Sequence, residues 1–288
     1  MKEPSKDIRV SVVGLPGSGK TTFLAALWHL VQSGEVATRL TFHSLREGNY
    51  SHLNEIVKQW RNAYKPERTL LSGMKTVSMN LNSEERLVRI TFPDVPGEDY
   101  QRMWEERVAN NELLDVLSAD GMALLINGDN IVAPAWVREQ VELQRQLDDQ
   151  APDHPPVDWH PKHAPTQVQL VDLLQHVRAL VGPHRQKLVV LISAWDKAEE
   201  EESDPKEFLR IKLPLLYQYL ATDRDNWDWR AYGVSAQGGE YDGKESGASP
   251  SEEAARLRDH DIASKRIRVV RESDDDNDLT APLEWLIN

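Results

Sequence analysis

The segment Gly14–Thr21, with the sequence GLPGSGKT, is the feature that most constrains what this chain can fold into. A short apolar run, Ile8–Val13, precedes it, and apolar residues recur at helical spacing from Phe23 to Val31 after it. Gly34 ends that pattern, as glycine often does after a helix. The sequence therefore predicts a buried strand, a glycine-rich turn and a helix in direct succession.

This order is the context that a phosphate-binding loop requires. Glycines allow backbone N–H groups to point at phosphate oxygens, and the helix N-terminus adds a partial positive charge. We expect the Lys20 ammonium to reach the β and γ phosphates of a nucleotide and the Thr21 hydroxyl to bind Mg²⁺. The strand before the loop and the helix after it disfavour the alternative of a purely structural glycine turn. The predicted nucleotide contacts of the loop are Gly14, Pro16, Gly17, Ser18, Gly19, Lys20, Thr21 and Thr22.

Strands alternate with helices along the rest of the chain, which predicts an α/β fold with a mostly parallel sheet and helices on both faces. Residues 77–81 and 86–92 look like a hairpin, so we expect one antiparallel edge strand. No internal repeat or clean boundary divides residues 1–288, and we predict a single domain. The other predicted strands are 8–13, 121–127, 187–193 and 230–236, and the predicted helices lie within 50–64, 101–118, 166–181, 206–221 and 280–287.

Composition narrows the classes of function. The net charge of −13 disfavours non-specific binding to nucleic acid or anionic membranes. The absence of cysteine excludes disulfides, thiolate zinc sites and cysteine nucleophiles. Neither a signal peptide nor an apolar stretch near the roughly 20 residues of a membrane span is evident, so we expect a cytoplasmic protein.

A second motif, DVPGED at residues 94–99, follows the second hairpin strand directly. Asp94 occupies the place of a Walker-B carboxylate, which holds the metal in phosphate-loop proteins. The Asp-x-x-Gly pattern resembles that of GTPases, in which Asp94 would hold Mg²⁺ through water and the Gly97 N–H would bind the γ-phosphate. The alternative is a Pro-Gly turn that closes a strand.

A third group of residues indicates which nucleotide base is bound. The strand 187–193 runs into Ala194, Trp195 and Asp196, and Asp196 stands where GTPases place the aspartate that accepts from N1–H and N2–H₂ of guanine. Ser193 and Ala194 replace the usual Asn and Lys, so Trp195 or Lys197 would have to compensate for the missing lysine.

After the last strand, Ser235 and Ala236 match the Ser-Ala motif of GTPases, whose Ala N–H meets guanine O6. With four motifs in this order, the chain resembles the TRAFAC class of P-loop GTPases, which includes the Ras-like proteins. The segments GLPGSGKTTFLAALWHL, DVPGED and PLEWLI are similar to the bacterial double-GTPase family, which is associated with conflict and defence systems. Residues 34–68, 149–165 and 238–278 lie outside the resemblance and are predicted insertions.

The resemblance implies bound GTP or GDP with Mg²⁺. At some positions, however, this sequence departs from the GTPase pattern. Glu98 stands where Ras-like enzymes place a water-orienting Gln, so we expect slow intrinsic hydrolysis. Thr69 is our choice for the metal-binding threonine of the first switch, with Thr76 in reserve. Lys20, Gly97, Glu98 and Thr69 are the predicted catalytic residues, and Thr21, Asp94 and Thr69 the predicted metal ligands.

The sequence therefore predicts a GTP-binding switch that regulates, or is activated by, a protein partner. Two alternatives stay open at this point. A pseudo-GTPase scaffold is favoured by Glu98, and an ATPase is left possible by Ala194.

Overall fold

The computed structural model describes residues 7–64, 76–84, 86–93, 103–109, 111–134, 160, 163–182, 184–200, 202–222, 226–243, 251–272 and 274–288. Within these residues nine strands form one sheet in the order β2-β3-β4-β1-β5-β6-β7-β8-β9. The strands are β1 Ile8–Val13, β2 Thr41–Glu47, β3 Val77–Asn82, β4 Leu87–Phe92, β5 Gly121–Asn127, β6 Gln186–Ser193, β7 Trp227–Ser235, β8 Arg268–Arg271 and β9 Asp274–Asp276.

The helices cover both faces of this sheet. The helices are α1 Lys20–Ser33, α2 Tyr50–Arg61, α3 Asn111–Leu117, α4 Thr166–Val181, α5 Trp195–Ala198, α6 Pro205–Lys212, α7 Pro214–Ala221, α8 Glu252–Arg258 and α9 Ala281–Trp285. One buried cluster joins α1, α2, α8 and α9 to one face, and a second cluster joins α3, α4, α6 and α7 to the other. A 3-10 turn, Ala263–Arg266, follows α8.

The predicted fold class is confirmed. Strands β4, β1, β5, β6 and β7 are parallel neighbours, and β3 pairs antiparallel with β4 as the hairpin predicts. The sheet continues beyond β3, however, because β2 pairs antiparallel with it, and β8 and β9 add two antiparallel strands at the far side. The sequence predicts one antiparallel edge strand. In the described residues the sheet instead has antiparallel strands at both sides, β2 and β3 at one and β8 and β9 at the other.

These additional strands come from segments that the sequence predicts as insertions. The residues of β9 are all exposed aspartates, and pairing with β8 rather than burial makes them a strand. Pro214 separates two helices, α6 and α7, where the sequence predicts one helix with a perturbation. The division into one domain with insertions remains a prediction.

The parallel strands set the position of the site. Their carboxyl ends meet at one edge of the sheet, where ligands bind in folds of this kind. The loops after β1, β6 and β7 therefore converge at this edge, which we call the loop edge. In the described part of the chain, no helix has the length and hydropathy that a membrane crossing needs.

Candidate functional site

The loop between β1 and α1 has the backbone that its glycines permit. Gly17 and Gly19 have φ angles of 78° and 90°, a region that side chains with a Cβ rarely adopt. Gly19 is the residue before α1, so the first turn of the helix faces the inside of the loop. A Cβ on Gly14 would lie 2.5 Å from the carbonyl oxygen of Leu125, which makes glycine necessary there for close packing.

Lys20 folds back into this loop. Its Nζ donates to the carbonyl oxygens of Gly14 at 2.6 Å and Leu15 at 3.0 Å, and it lies 3.4 Å from Ser18 Oγ. Burial lowers the pKa of Lys20 from 10.5 to about 8. A cation that loses so much hydration is stabilised by an anion placed in the loop, which fits the phosphate-binding role expected of it.

Two neighbouring strands hold the loop from the side. Ser193, at the end of β6, donates its hydroxyl to the Ser18 carbonyl oxygen at 2.9 Å. Asn127, at the end of β5, donates its amide to the Gly17 carbonyl oxygen at 3.1 Å. Asn127 was not predicted from the sequence, because its one signal is that a polar residue ends an apolar strand.

The predicted base-reading residues lie together at the loop edge. Strands β6 and β7 are paired in parallel with Ser193 opposite Val234, which places α5 beside the loop after β7. The Ser235 hydroxyl donates to Asp196 Oδ1 at 2.6 Å and accepts from the Gly238 N–H at 3.2 Å. The bond from Ser235 uses one acceptor position of the carboxylate, and both carboxylate oxygens can still accept from a base.

Trp195 and Lys197 have different environments. The Trp195 ring is fully buried and packs edge-on against Phe208, with centroids 5.6 Å apart. A Cβ on Gly233 would lie 2.2 Å from the same ring, so β7 makes room for it only because this residue is glycine. The Trp195 ring thus has no exposed face for a base, which leaves Lys197 as the side chain to replace the missing lysine.

Lys197 is exposed on α5, and its Nζ lies 3.5 Å from Asp129 Oδ2. Slight burial acts to lower the pKa of Lys197, but the carboxylates of Asp129 and Glu240 outweigh it and raise the value. The group is therefore a charged ammonium beside Asp196.

The remaining predicted residues divide into two sets. Thr21 and Thr22 are half-buried in the first turn of α1, and Ala236 is almost fully buried after β7. Thr69, Asp94, Gly97 and Glu98 lie outside the described residues. Thr76, the reserve choice for the first switch, directly precedes β3, where Val77 pairs with Phe92 at the end of β4. The topology thus places Thr76 at the loop edge.

Residues 11–286 match the model of a family described as Double-GTPase 1. A comparison with curated protein sequences finds no match.

Several solved structures of GTP-binding proteins are similar to the chain at low identity. Nucleolar GTP-binding protein 1 from Plasmodium falciparum is 11% identical with a TM-score of 0.37, and the match covers 80% of each chain. The GTPase-like domain of Ski7 from S. cerevisiae, bound to GTP, is 12% identical with a TM-score of 0.43, over 81% of this chain and 43% of that one. A GTP-binding protein from Sulfolobus solfataricus, in complex with GDP, is 11% identical with a TM-score of 0.34, over 80% and 47%. The chain thus spans less than half the length of the last two.

Proposed function

This chain belongs to the Double-GTPase 1 family, and from that premise we propose that it binds GTP with Mg²⁺, hydrolyses GTP slowly and acts as a switch for a protein partner. One observation carries the proposal. Asp196, in α5 just after β6, and Ser235, at the end of the adjacent parallel strand β7, form a hydrogen-bonded pair at the same sheet edge as the Lys20 loop. Groups suited to a guanine base and groups suited to phosphates thus lie at the same edge of the sheet.

The phosphates would be held by the loop Gly14–Thr22. Its N–H groups and the N-terminus of α1, a helix of 14 residues, supply partial positive charge. Lys20 supplies a full charge that is already desolvated and in place. A cation in this loop would favour charge that develops on the γ-phosphate during hydrolysis.

The residues described at the loop also fit a magnesium ion, since a half-buried threonine hydroxyl at the start of α1 is a hard oxygen ligand. Thr21 would hold the ion from this side, with Asp94 and a switch threonine, Thr69 or Thr76, as the further expected ligands. Bound Mg²⁺ neutralises charge on the β and γ phosphates.

Base selection would rest on Asp196. The Ser235 hydroxyl fixes one carboxylate oxygen and so orients the carboxylate for the N1–H and N2–H₂ groups of guanine. Adenine offers no matching donor pair at these positions. Lys197 places a positive charge near the same carboxylate.

The proposal also includes a conformational switch. GTP and Mg²⁺ would order the segments around Thr69 and 95–107, and hydrolysis would release them from an effector. Glu98 in place of Gln is the reason to expect a low rate without a partner, because a carboxylate near the γ-phosphate repels it. A cytoplasmic location and a role in bacterial conflict systems belong to this proposal as well.

A thermal-shift series tests the binding step. At GTP/Mg²⁺ concentrations of about 100 times the dissociation constant, the parent should gain about 2.7 kcal/mol of stability. Lys20→Ala should lose this gain, and Lys58→Ala, which removes an exposed lysine of α2, should keep it. A full shift in Lys20→Ala would contradict the proposal. Phosphate release from the same samples separates a GTPase from a nucleotide-binding scaffold without turnover.

A further inference from the structure

The loop after β7 is attached to a helix far away in sequence. The indole Nε1–H of Trp60, in the last turn of α2, donates to the Ala236 carbonyl oxygen at 2.8 Å. The Trp60 side chain and Ala236 are 2% and 8% exposed, so no water competes for this bond. Ala236 is the residue whose N–H would meet guanine O6 in the proposed complex.

Trp60 is in turn held by a buried cation. Arg266 is 4% exposed, and its guanidinium carbon lies 3.9 Å from the centre of the Trp60 ring. The same guanidinium donates to the carbonyl oxygens of Trp60, Arg61 and Leu257 and to the Tyr241 hydroxyl. It thus stacks on the ring and binds the backbone on either side of it.

The backbone explains why a cation is stable there. Arg61 ends α2 and Leu257 lies in the last turn of α8, so the C-terminal ends of two helices converge on Arg266. Helix C-termini carry partial negative charge and leave carbonyl oxygens without intrahelical donors. Burial lowers the pKa of Arg266, yet these carbonyl oxygens supply hydrogen-bond acceptors in place of water.

The other side of the loop is equally confined. A Cβ on Gly238 would lie 2.6 Å from the Arg266 carbonyl oxygen, so the backbones of the loop and of the 3-10 turn are in close contact. Two residues beyond Glu240, Asp242 donates its N–H to the Ala63 carbonyl oxygen at 2.9 Å. The loop is therefore fixed to the end of α2 at both Ala236 and Asp242.

We propose that Trp60, held by Arg266, is a positioning residue that sets the place of the Ala236 N–H relative to the 6-position of the bound base. The N–H and C=O of Ala236 belong to one residue, so a bond that fixes the carbonyl restricts the rotations that would move the N–H. This inference rests on the proposed binding of GTP. It adds that α2 and the 3-10 turn, both from predicted insertions, contribute to base specificity without contact to the nucleotide.

Two GTP analogues test separately the contact at position 6 of the base and the contact at its N2 amino group. In 6-thio-GTP only the atom at position 6 changes, and in ITP only the N2 amino group is lost. Trp60→Phe keeps an aromatic ring and removes the N–H donor. The matched control is Trp28→Phe, because Trp28 is also buried in the same core cluster but its Nε1 faces Asn54 at 3.5 Å.

Affinities for GTP, 6-thio-GTP and ITP are measured for the parent and both variants. Trp60→Phe should lower the preference for GTP over 6-thio-GTP by about threefold to tenfold, the scale of one hydrogen bond. Its preference for GTP over ITP, which reads the Asp196 contact, should not change. Trp28→Phe should keep both preferences. Arg266→Lys should reproduce the Trp60→Phe result, because an ammonium cannot stack on the ring while it binds three carbonyl oxygens.

Other outcomes overturn the inference. If Trp60→Phe keeps the full preference for GTP over 6-thio-GTP, Ala236 is positioned without Trp60. If both preferences fall together in Trp60→Phe and in Trp28→Phe, Trp60 has only a structural role. A parent that binds ATP as tightly as GTP would instead contradict the proposed function itself, which distinguishes that failure from the failure of this inference.

Discussion

Protonation of Lys20 should be coupled to nucleotide binding. Burial lowers the pKa of Lys20 to about 8 in the ligand-free loop. Triphosphate beside the ammonium favours the charged form and raises the pKa again. Because the bound state then holds the proton more tightly than the free state, binding takes up a proton wherever free Lys20 is partly neutral.

The size of the effect follows from this pKa. With a free-state value of about 8, the uptake should be about three-quarters of a proton at pH 8.5 and about a tenth at pH 7. Lys20 should therefore contribute almost no pH dependence to the affinity for GTP below pH 7. The affinity should fall as the pH rises above 8, approaching tenfold per pH unit while the bound lysine stays charged.

Calorimetry in buffers with different ionisation enthalpies measures this uptake directly. The matched control is Lys187→Met. Lys187 also has a pKa lowered by partial burial, but it lies near the start of β6, away from the loop edge. This variant should take up as much proton as the parent. The reasoning is refuted if the parent binds GTP at pH 8.5 with no proton uptake.

Three further predictions concern single residues. Gly14→Ala should cost about 1–3 kcal/mol of stability and weaken nucleotide binding, because the new Cβ would lie 2.5 Å from a backbone oxygen. Denaturant unfolding measures this loss, and it should show none for Gly243→Ala, whose new Cβ would have no atom within 4 Å. Burial keeps the pKa of His29 below 6.5 despite its hydrogen bond to Glu35, so this side chain takes up a proton more readily in the unfolded chain than in the folded one. The free energy of unfolding should therefore fall as the pH drops through 6.5. His29→Gln should flatten that part of the pH profile of stability, and an unchanged profile would exclude His29 as its source. The isolated chain should hydrolyse GTP in single turnover at about 10⁻⁴ per second, and Glu98→Gln should be no slower; a large loss of rate in that variant would show that the Glu98 carboxylate is itself catalytic.

The parts of the fold that follow periodic burial were predictable from the sequence. The strand Ile8–Val13, the hairpin strands and the helix Thr166–Val181 have apolar residues at the spacing that their burial requires. The phosphate loop was equally clear, because its glycines have a backbone requirement that few other residues satisfy.

Structure that depends on partners distant in sequence was not predictable. Strand β2 is largely exposed, and β9 consists of three exposed aspartates, so neither shows an apolar period. The Trp60–Ala236 bond joins residues 176 positions apart. The sequence predicted that Trp195 lies near the base. Its ring is buried instead, because Gly233 on the neighbouring strand leaves room for it, and nothing in the local sequence indicates that role for Gly233.

The central claim is that Asp196 selects guanine. In Asp196→Asn an amide donor would face the N1–H and N2–H₂ groups of guanine, whereas xanthine offers a carbonyl oxygen that accepts from that donor. The Ser235 hydroxyl can still donate to the Asn carbonyl oxygen, so the local structure should hold. Titrations of the parent and Asp196→Asn with GTP, ATP and XTP test the claim most directly. We predict that the variant loses GTP and gains XTP affinity by about 10- to 100-fold, the value of a bidentate base contact. Equal affinities of the parent for ATP and GTP, unchanged in the variant, would contradict it.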